Sequence, residues 1–235
     1  LYDNAQELLH QIVEERLLRS RAVIGFWPAA SERDDIVLFT DESREQELLR
    51  FPMLRQQKEI EGDPSRSLAD FVAPRDSERQ DYIGAFAVTA GLGAGELSKR
   101  YEADNDDYTA IMVKALADRL AEAAAEAIHE RARQIWGYGE SEELGKRGLI
   151  DEDYRGIRPA FGYPACPDHS LKPILFDMLG DDAGDVADGA AGQRQPQPGG
   201  GVHVLSGNAR GRSRSAAGCE GPTSRAQGRD ASTPG

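Results

Sequence analysis

The chain has 235 residues, of which 28 are Lys or Arg and 41 are Asp or Glu, so its formal net charge is −13. This acidic balance argues against a general nucleic-acid-binding protein, which needs a basic surface to neutralise phosphates. The sequence has no apolar run near the roughly 20 residues of a membrane span, and its two cysteines are too few for a disulfide framework. We therefore expect a cytoplasmic protein with no nucleic-acid partner and no membrane span. Because the first residue is leucine and not methionine, we expect the sequence to begin inside a longer chain.

The composition changes at Gly180. Residues 181–235 contain six acidic residues and six arginines, so the whole net charge lies in residues 1–180. The last part also has twelve glycines and nine alanines, but no Lys, Ile, Phe, Tyr, Trp or Met. Such a segment buries too little apolar surface to offset its chain entropy. We predict a folded domain over residues 1–180 and a disordered tail over 181–235, either a natural flexible tail or the product of out-of-frame translation.

Apolar periodicity predicts the elements of the first half. The opening residues have the i, i+3, i+4 spacing of an amphipathic helix of about 18 residues. The predicted elements that follow are strands at 22–27 and 35–40 with a turn at 28–33 between them, a broken helix at 42–59, and strands at 68–73 and 82–89. The last strand is apolar throughout, which indicates that both of its faces are buried.

A long helix is predicted over residues 106–136, which contain neither glycine nor proline. Its N-cap candidates are Asp104, Asn105 and Asp106. The apolar residues that repeat near 3.6 and predict its core-facing side are Tyr108, Ile111, Met112, Ala115, Leu116, Leu120, Ala123 and Ala127. Short strands beside one long helix, without a regular βαβ repeat, favour an α+β fold. We expect helices packed around a largely antiparallel twisted sheet.

The clearest candidate for a ligand-binding segment is 158–167, which reads RPAFGYPACP. Its three prolines and one glycine exclude helix and central strand, so we predict a rigid, irregular loop. Backbone groups in such a loop must meet water, side chains or a ligand. Arg158 at its entrance can bind a carboxylate through two hydrogen bonds. The same pattern also fits a structural connector with a surface arginine.

Acidic residues supply a second set of candidates. Asp70 lies in the apolar stretch LADFVAP, where a carboxylate needs a partner; it is either an ordinary strand-end acid or the contact of a cationic ligand group. Glu122 and Asp118 lie one turn apart on the long helix, a pattern typical of a solvated acidic face. Cys166 and His169 provide two ligands where structural zinc needs four, so we predict no metal site.

Several stretches, in this order along the chain, resemble the C-terminal activation domain of cobalamin-dependent methionine synthase. The resemblance covers about residues 2–180. It is carried by LRQQ at 54–57, LADFVAP at 68–74, DYIGAFAVT at 81–89, the helical segment 106–122, and GIRPAFGYPACPDH at 156–169.

The resemblance implies a module of a methyltransferase. The module binds S-adenosylmethionine and presents its methyl group to cobalamin, which another module of the same parent chain holds. Reduced flavodoxin or a related reductase supplies an electron. Methyl transfer releases no proton, so the resemblance implies no catalytic side chain.

The resemblance also implies a set of ligand-binding residues. Arg158 would hold the ligand carboxylate, Asp70 would meet the positive end of its methionine moiety, and Glu122 would line the same cleft. The loop would contact the adenosine through the backbone of Pro159, Ala160, Gly162 and Tyr163.

The sequence departs from the family in two places. Phe161 stands where the family usually has proline. The family also continues past the position of Gly180 with sheet strands and ligand-contacting aromatics, whereas residues 181–235 contain no aromatic residue. We therefore expect an incomplete site and exposed strand edges. Two alternatives to ligand binding stay open: a docking module for flavodoxin and the cobalamin domain, and an inactive truncated product.

Overall fold

An antiparallel sheet lies at the centre of the structure, a computed structural model. The structure describes residues 1–58, 64–137 and 156–180 and the backbone of 200–206. It also describes the separate residues 62, 145, 147, 148, 151, 153 and 154. The elements are α1 (Tyr2–Glu14), β1 (Arg19–Glu32), β2 (Asp35–Phe39), β3 (Glu47–Pro52), a 3₁₀ turn (Leu68–Phe71), β4 (Asp81–Leu92), α2 (Ala94–Ala103), α3 (Asp107–Trp136), a second 3₁₀ turn (His169–Leu171), α4 (Lys172–Leu179) and β5 (Gly200–Ser206).

The described strands follow the order β3-β2-β1-β4-β5, and every neighbouring pair is antiparallel. The sheet with its surrounding helices confirms the predicted α+β class. A two-residue turn joins β1 to β2, because Glu32 pairs with Asp35. Arg33 in this turn has a φ of +57°, in the left-handed region that tight hairpin turns use.

The two faces of β4 pack against different elements. Phe86 and Val88 on one face form a cluster with Ala125 and Ala132 of α3. Ile83 and Ala85 on the other face belong to the main core, which includes Leu175 of α4, Leu68 of the first 3₁₀ turn and Phe161 of the loop that follows α3. The strand is therefore buried on both faces, as its continuous apolar sequence predicts.

Three predicted elements are wrong or misplaced. Residues 47–52 form β3 and not a broken helix, because β2 offers a partner along the whole segment. The predicted strand at 68–73 is mainly a 3₁₀ turn, held by a capping box at Ser67. Strand β1 extends to Glu32, so most of the predicted turn at 28–33 is strand and the turn itself lies at residues 33 and 34. Pro28 is tolerated there because β1 pairs with β4 alone at that point, the register with β2 starting at Ala29.

The long helix is confirmed in length, but its predicted core face is wrong. Tyr108 and Ile111 are 49% and 66% exposed, and Met112 alone among the predicted residues is buried. The residues that are buried instead are Ala110, Val113, Ala117, Ala121, Ala125, His129, Ala132 and Arg133. Most of them are alanines, which lets α3 lie close to the sheet.

The two ends of α3 lie where the sequence predicts them. Asp106 is the N-cap, and its carboxylate accepts a 3.0 Å hydrogen bond from the backbone N–H of Thr109. The pKa of Asp106 lies below its usual value because of that backbone hydrogen bond. The helix ends at Gly137, which has a φ of +92°.

Residues Gly200–Ser206 form β5, where the sequence predicts a disordered tail. They pair with Ile83–Thr89 of β4 and so cover one edge of the sheet that residues 1–180 form. This segment contains Val202, Val204 and Leu205, three of the few large aliphatic residues of the tail. The rest of the predicted tail, 181–199 and 207–235, lies outside the described residues. Within the described part, no helix is long and apolar enough to cross a bilayer.

Candidate functional site

Asp70 is held by the turn in which it lies. Ser67 precedes the 3₁₀ turn, and its hydroxyl accepts a 3.2 Å hydrogen bond from Ala69 N–H. Asp70 closes the capping box, since its Oδ2 accepts from Ser67 N–H at 2.9 Å. The turn is also tied to the proline-rich loop, because Leu68 N–H donates to the carbonyl of Ala165 at 2.8 Å.

Arg55 is the ionic partner of Asp70. Its Nη1 and Nη2 atoms donate to the two carboxylate oxygens of Asp70, each at 2.8 Å, and its Nε donates to Asp34 at 2.8 Å. These hydrogen bonds, with that to Asp70 the largest, raise the pKa of Arg55 above its usual value. The side chain of Asp70 remains 37% exposed. It is therefore a fixed carboxylate that still reaches the surface.

Arg158 is a nearly buried cation. Its side chain is 9% exposed, and its Nη2 forms an ion pair with Oε1 of Glu126 on α3. The Nε atom of Arg158 and the Oε2 atom of Glu126 are buried without a hydrogen-bond partner among the described residues. A guanidinium carries five N–H donors in a fixed plane. Nη1 forms no hydrogen bond among the described residues, so it is the donor of Arg158 that remains for an acceptor brought by a ligand.

The loop after Arg158 is fixed by its own turn. Gly162 N–H donates to the carbonyl of Cys166, and Cys166 N–H donates back to the carbonyl of Tyr163, both at 2.9 Å. Gly162 has a φ of +102°, and a Cβ atom at this position would collide with the imidazole of His169. Tyr163 is 44% exposed, whereas Phe161 and Cys166 are buried. The prediction of an irregular loop is confirmed, and its turn presents Tyr163 at the surface.

Cys166 packs in the main core beneath this loop. Burial raises the pKa of its thiol to about 12. Within the described residues, no group of three or more His, Cys, Asp or Glu is placed to hold a metal ion.

Glu122 lies on an exposed part of α3. Its side chain is 64% exposed and pairs with Arg119 at 2.8 Å. Glu126 follows one turn later and reaches Arg158. Asp118, one turn earlier, has a pKa above its usual value, chiefly because burial disfavours its charged form and also because Glu122 is near.

The predicted residues are linked to one another through the loop. Asp70 lies in a turn that is hydrogen-bonded to Ala165, and α3 reaches the start of the same loop through Glu126. A cavity of about 820 Å³ borders Asp70, but it is lined by residues 31–33, 35, 50, 69, 70, 72 and 74–76 and not by Arg158 or its loop. This cavity therefore does not join Asp70 to Arg158.

Sequence reasoning missed Arg55 and Glu126. Arg55 belongs to the LRQQ stretch that carries part of the family resemblance, which was an available signal. Glu126 follows Glu122 by four residues and so projects from the same side of the helix. Neither signal identifies the partner of the residue.

Comparison with known proteins gives two findings. A family model described as "Vitamin B12 dependent methionine synthase, activation domain" matches residues 1–186. A crystal structure of the MetH reactivation domain bound to AdoHcy is 41% identical in sequence and similar in fold, with a TM-score of 0.77. The match covers 91% of this chain and 66% of that one, so the present chain spans slightly less than two thirds of that domain.

Proposed function

Because the chain belongs to the family of vitamin B12 dependent methionine synthase activation domains, we propose that it binds S-adenosylmethionine and presents the methyl group to cobalamin. The similar MetH domain was solved with AdoHcy, which is S-adenosylmethionine without that methyl group. The identity of 41% over most of this chain supports the same ligand class here.

The observation that carries the proposal is the buried, incompletely paired Arg158. S-adenosylmethionine has a carboxylate, an ammonium and a sulfonium group, so its site needs a fixed cation and a fixed anion. Arg158 is a cation that is 9% exposed, and its Nη1 forms no hydrogen bond among the described residues. We assign the ligand carboxylate to it. The positive end of the methionine moiety is assigned to Asp70, which Arg55 and Ser67 hold in one orientation, and Glu122 lines the cleft.

The adenosine is assigned to the loop backbone at Pro159, Ala160, Gly162 and Tyr163. The two prolines that flank this stretch keep its peptide groups out of helix and sheet ladders. The half-exposed ring of Tyr163 provides a flat apolar surface beside these groups.

In this reaction the residues orient the ligand and do not transfer protons. Cobalamin, held by another module of the parent chain, supplies the nucleophile that takes the methyl group. Arg158 and Asp70 fix the two ends of the methionine moiety, so the sulfonium points in one direction. A reductase such as flavodoxin is the proposed electron donor, and the parent protein is a cytoplasmic methyltransferase.

Calorimetric titration of the full 235-residue chain tests the proposal. Wild type should bind S-adenosylmethionine, and Arg158→Gln and Asp70→Asn should each weaken binding by about 1–3 kcal/mol, the usual cost of a lost charged hydrogen bond. Arg131→Gln, at an exposed arginine of α3, is the control and should bind like wild type.

Two results would count against this function in different ways. Absence of binding by the folded wild type would contradict it and favour a docking module or an inactive product. Normal binding by both site variants would retain the ligand but remove the residue assignment.

A further inference from the structure

The charge of Arg158 lies where water hardly reaches it. Its side chain is 9% exposed, and a buried guanidinium is costly unless an opposite charge lies against it. Among the described residues, Glu126 is the acid that forms an ion pair with it, and the side chain of Glu126 is itself only 33% exposed. The local balance of charge at Arg158 therefore depends on Glu126.

The ion pair leaves part of each side chain unused. It joins Nη2 of Arg158 to Oε1 of Glu126. The Nε donor and the Oε2 acceptor are both buried and have no hydrogen-bond partner in the described part of the chain. A planar guanidinium can bind two carboxylates along different edges. Nε lies on the same edge of the guanidinium as Nη2, so Glu126 covers that edge, and Nη1, which forms no hydrogen bond in the described part of the chain, is the donor that remains for a second carboxylate.

Glu126 lies on a helix that packs against the sheet. Its neighbour Ala125 is 3% exposed and packs with Phe86 and Val88 of the sheet. Arg158, in contrast, opens an irregular loop. A side chain on a packed helix can therefore fix the orientation of one on a loop.

The neighbouring acids of α3 do not share this arrangement. Glu122 pairs with the exposed Arg119, and Glu130 is exposed. Glu126 alone among these three contacts the loop through an ion pair in the described structure.

We infer that Glu126 is a positioning residue, whose carboxylate orients the Arg158 guanidinium so that its Nη1 donor faces the carboxylate of the ligand. This inference rests on the proposed function, because it requires a ligand whose carboxylate binds Arg158. Glu126 itself does not touch the ligand. Its removal should therefore reduce the recognition of one ligand group and leave the rest of the ligand's affinity in place.

The test compares two ligands that differ in that group. S-adenosylmethionine and its decarboxylated analogue, which keeps the sulfonium and the amine, are titrated into the full chain. Wild type should prefer the carboxylated ligand, and Glu126→Gln should reduce this preference by about five-fold or more, as expected for a weakened charged hydrogen bond. The affinity for the decarboxylated analogue should change by less than about two-fold. Glu130→Gln, one turn along the same helix, should change neither affinity.

The outcomes separate this inference from the proposed function. Equal loss of affinity for both ligands would show a general structural role, and an unchanged or greater preference would show that Glu126 does not orient Arg158 for the ligand; each overturns the inference. If the wild type binds neither ligand, the proposed function fails first and the inference fails with it. If thermal unfolding shows that Glu126→Gln does not fold, Glu126→Asp replaces it, because aspartate keeps the charge on a shorter side chain. This variant should show an intermediate preference for the carboxylated ligand. A preference equal to that of the wild type would contradict the inference.

Discussion

Asp70 and Arg158 each meet a partner that is distant in sequence. Arg55 lies 15 residues from Asp70, and Glu126 lies 32 residues from Arg158. The motifs around Asp70 and Arg158 identify both residues without the structure, because the resemblance is local. Their partners could not be predicted, since each contact exists only after the 3₁₀ turn, α3 and the loop have come together. Sequence therefore predicts candidate ligand contacts more readily than the residues that hold them.

Gly162 gives a prediction at this scale. Its φ of +102° is unfavourable for any residue with a Cβ atom, and that atom would also displace His169. Gly162→Ala should lower the free energy of unfolding by about 1–3 kcal/mol and should weaken S-adenosylmethionine binding, because the loop must shift. Urea unfolding and calorimetry measure the two effects.

Gly95 provides the matched control for this substitution. It lies in α2 with open space around its Cα atom. Gly95→Ala should therefore stabilise the protein by about 0.5–1 kcal/mol, the usual gain from alanine in a helix, and leave binding unchanged. A stable, tightly binding Gly162→Ala variant would show that the left-handed conformation is not required.

The predicted elements differ in how well their sequences determined them. Helix α3 was predicted in length because no glycine or proline interrupts it, but an alanine-rich helix offers more than one apolar side. Burial of the alanine side depends on close approach to β4, which only the folded sheet determines. Likewise, Glu47–Pro52 becomes a strand because β2 lies beside it. The local pattern of apolar residues predicts neither the packed side of α3 nor the pairing of β3 with β2.

The packed side of α3 can be tested with two alanines of the same helix. Ala117 is 1% exposed and faces Gly91 of β4, where an added Cβ atom would lie 3.5 Å from the Ala117 Cβ atom. Ala117→Leu should overpack this contact and lower the free energy of unfolding by about 1–3 kcal/mol. Ala127→Leu, on the exposed side, should change it by no more than about 0.5 kcal/mol. Chemical denaturation compares the two, and similar values would contradict the observed orientation of the helix.

The sheet includes a strand, β5, that the average composition of the tail did not predict. An average over residues 181–235 is dominated by glycine and alanine, and it hides the seven-residue segment GGVHVLS that pairs with β4. The fold class was predictable because helices and short strands dominate residues 1–180. The extent of the sheet was not, because it depends on a partner strand far along the chain.

Proline substitution tests the contribution of β5. In an antiparallel strand, successive N–H groups point to opposite sides, so one of the two at His203 and Val204 faces β4. Replacing both residues with proline should break the pairing, lower the melting temperature and promote association through the uncovered edge of β4. The double alanine variant keeps both N–H groups and should stay closer to wild type in melting and in light scattering. Equal behaviour of the two variants would contradict a structural role for β5.

Arg55 connects Asp70 to the turn between β1 and β2. One guanidinium contacts both Asp70 and Asp34, and Asp34 lies in the tight turn between β1 and β2. Exposed hairpin turns usually vary freely during evolution, because few contacts depend on them. Here the turn shares a cation with the proposed ligand contact, so a change at Asp34 alters the ionic environment of Asp70. We therefore expect selection on ligand binding to restrict this turn, and residues 34, 55 and 70 to vary together among related proteins.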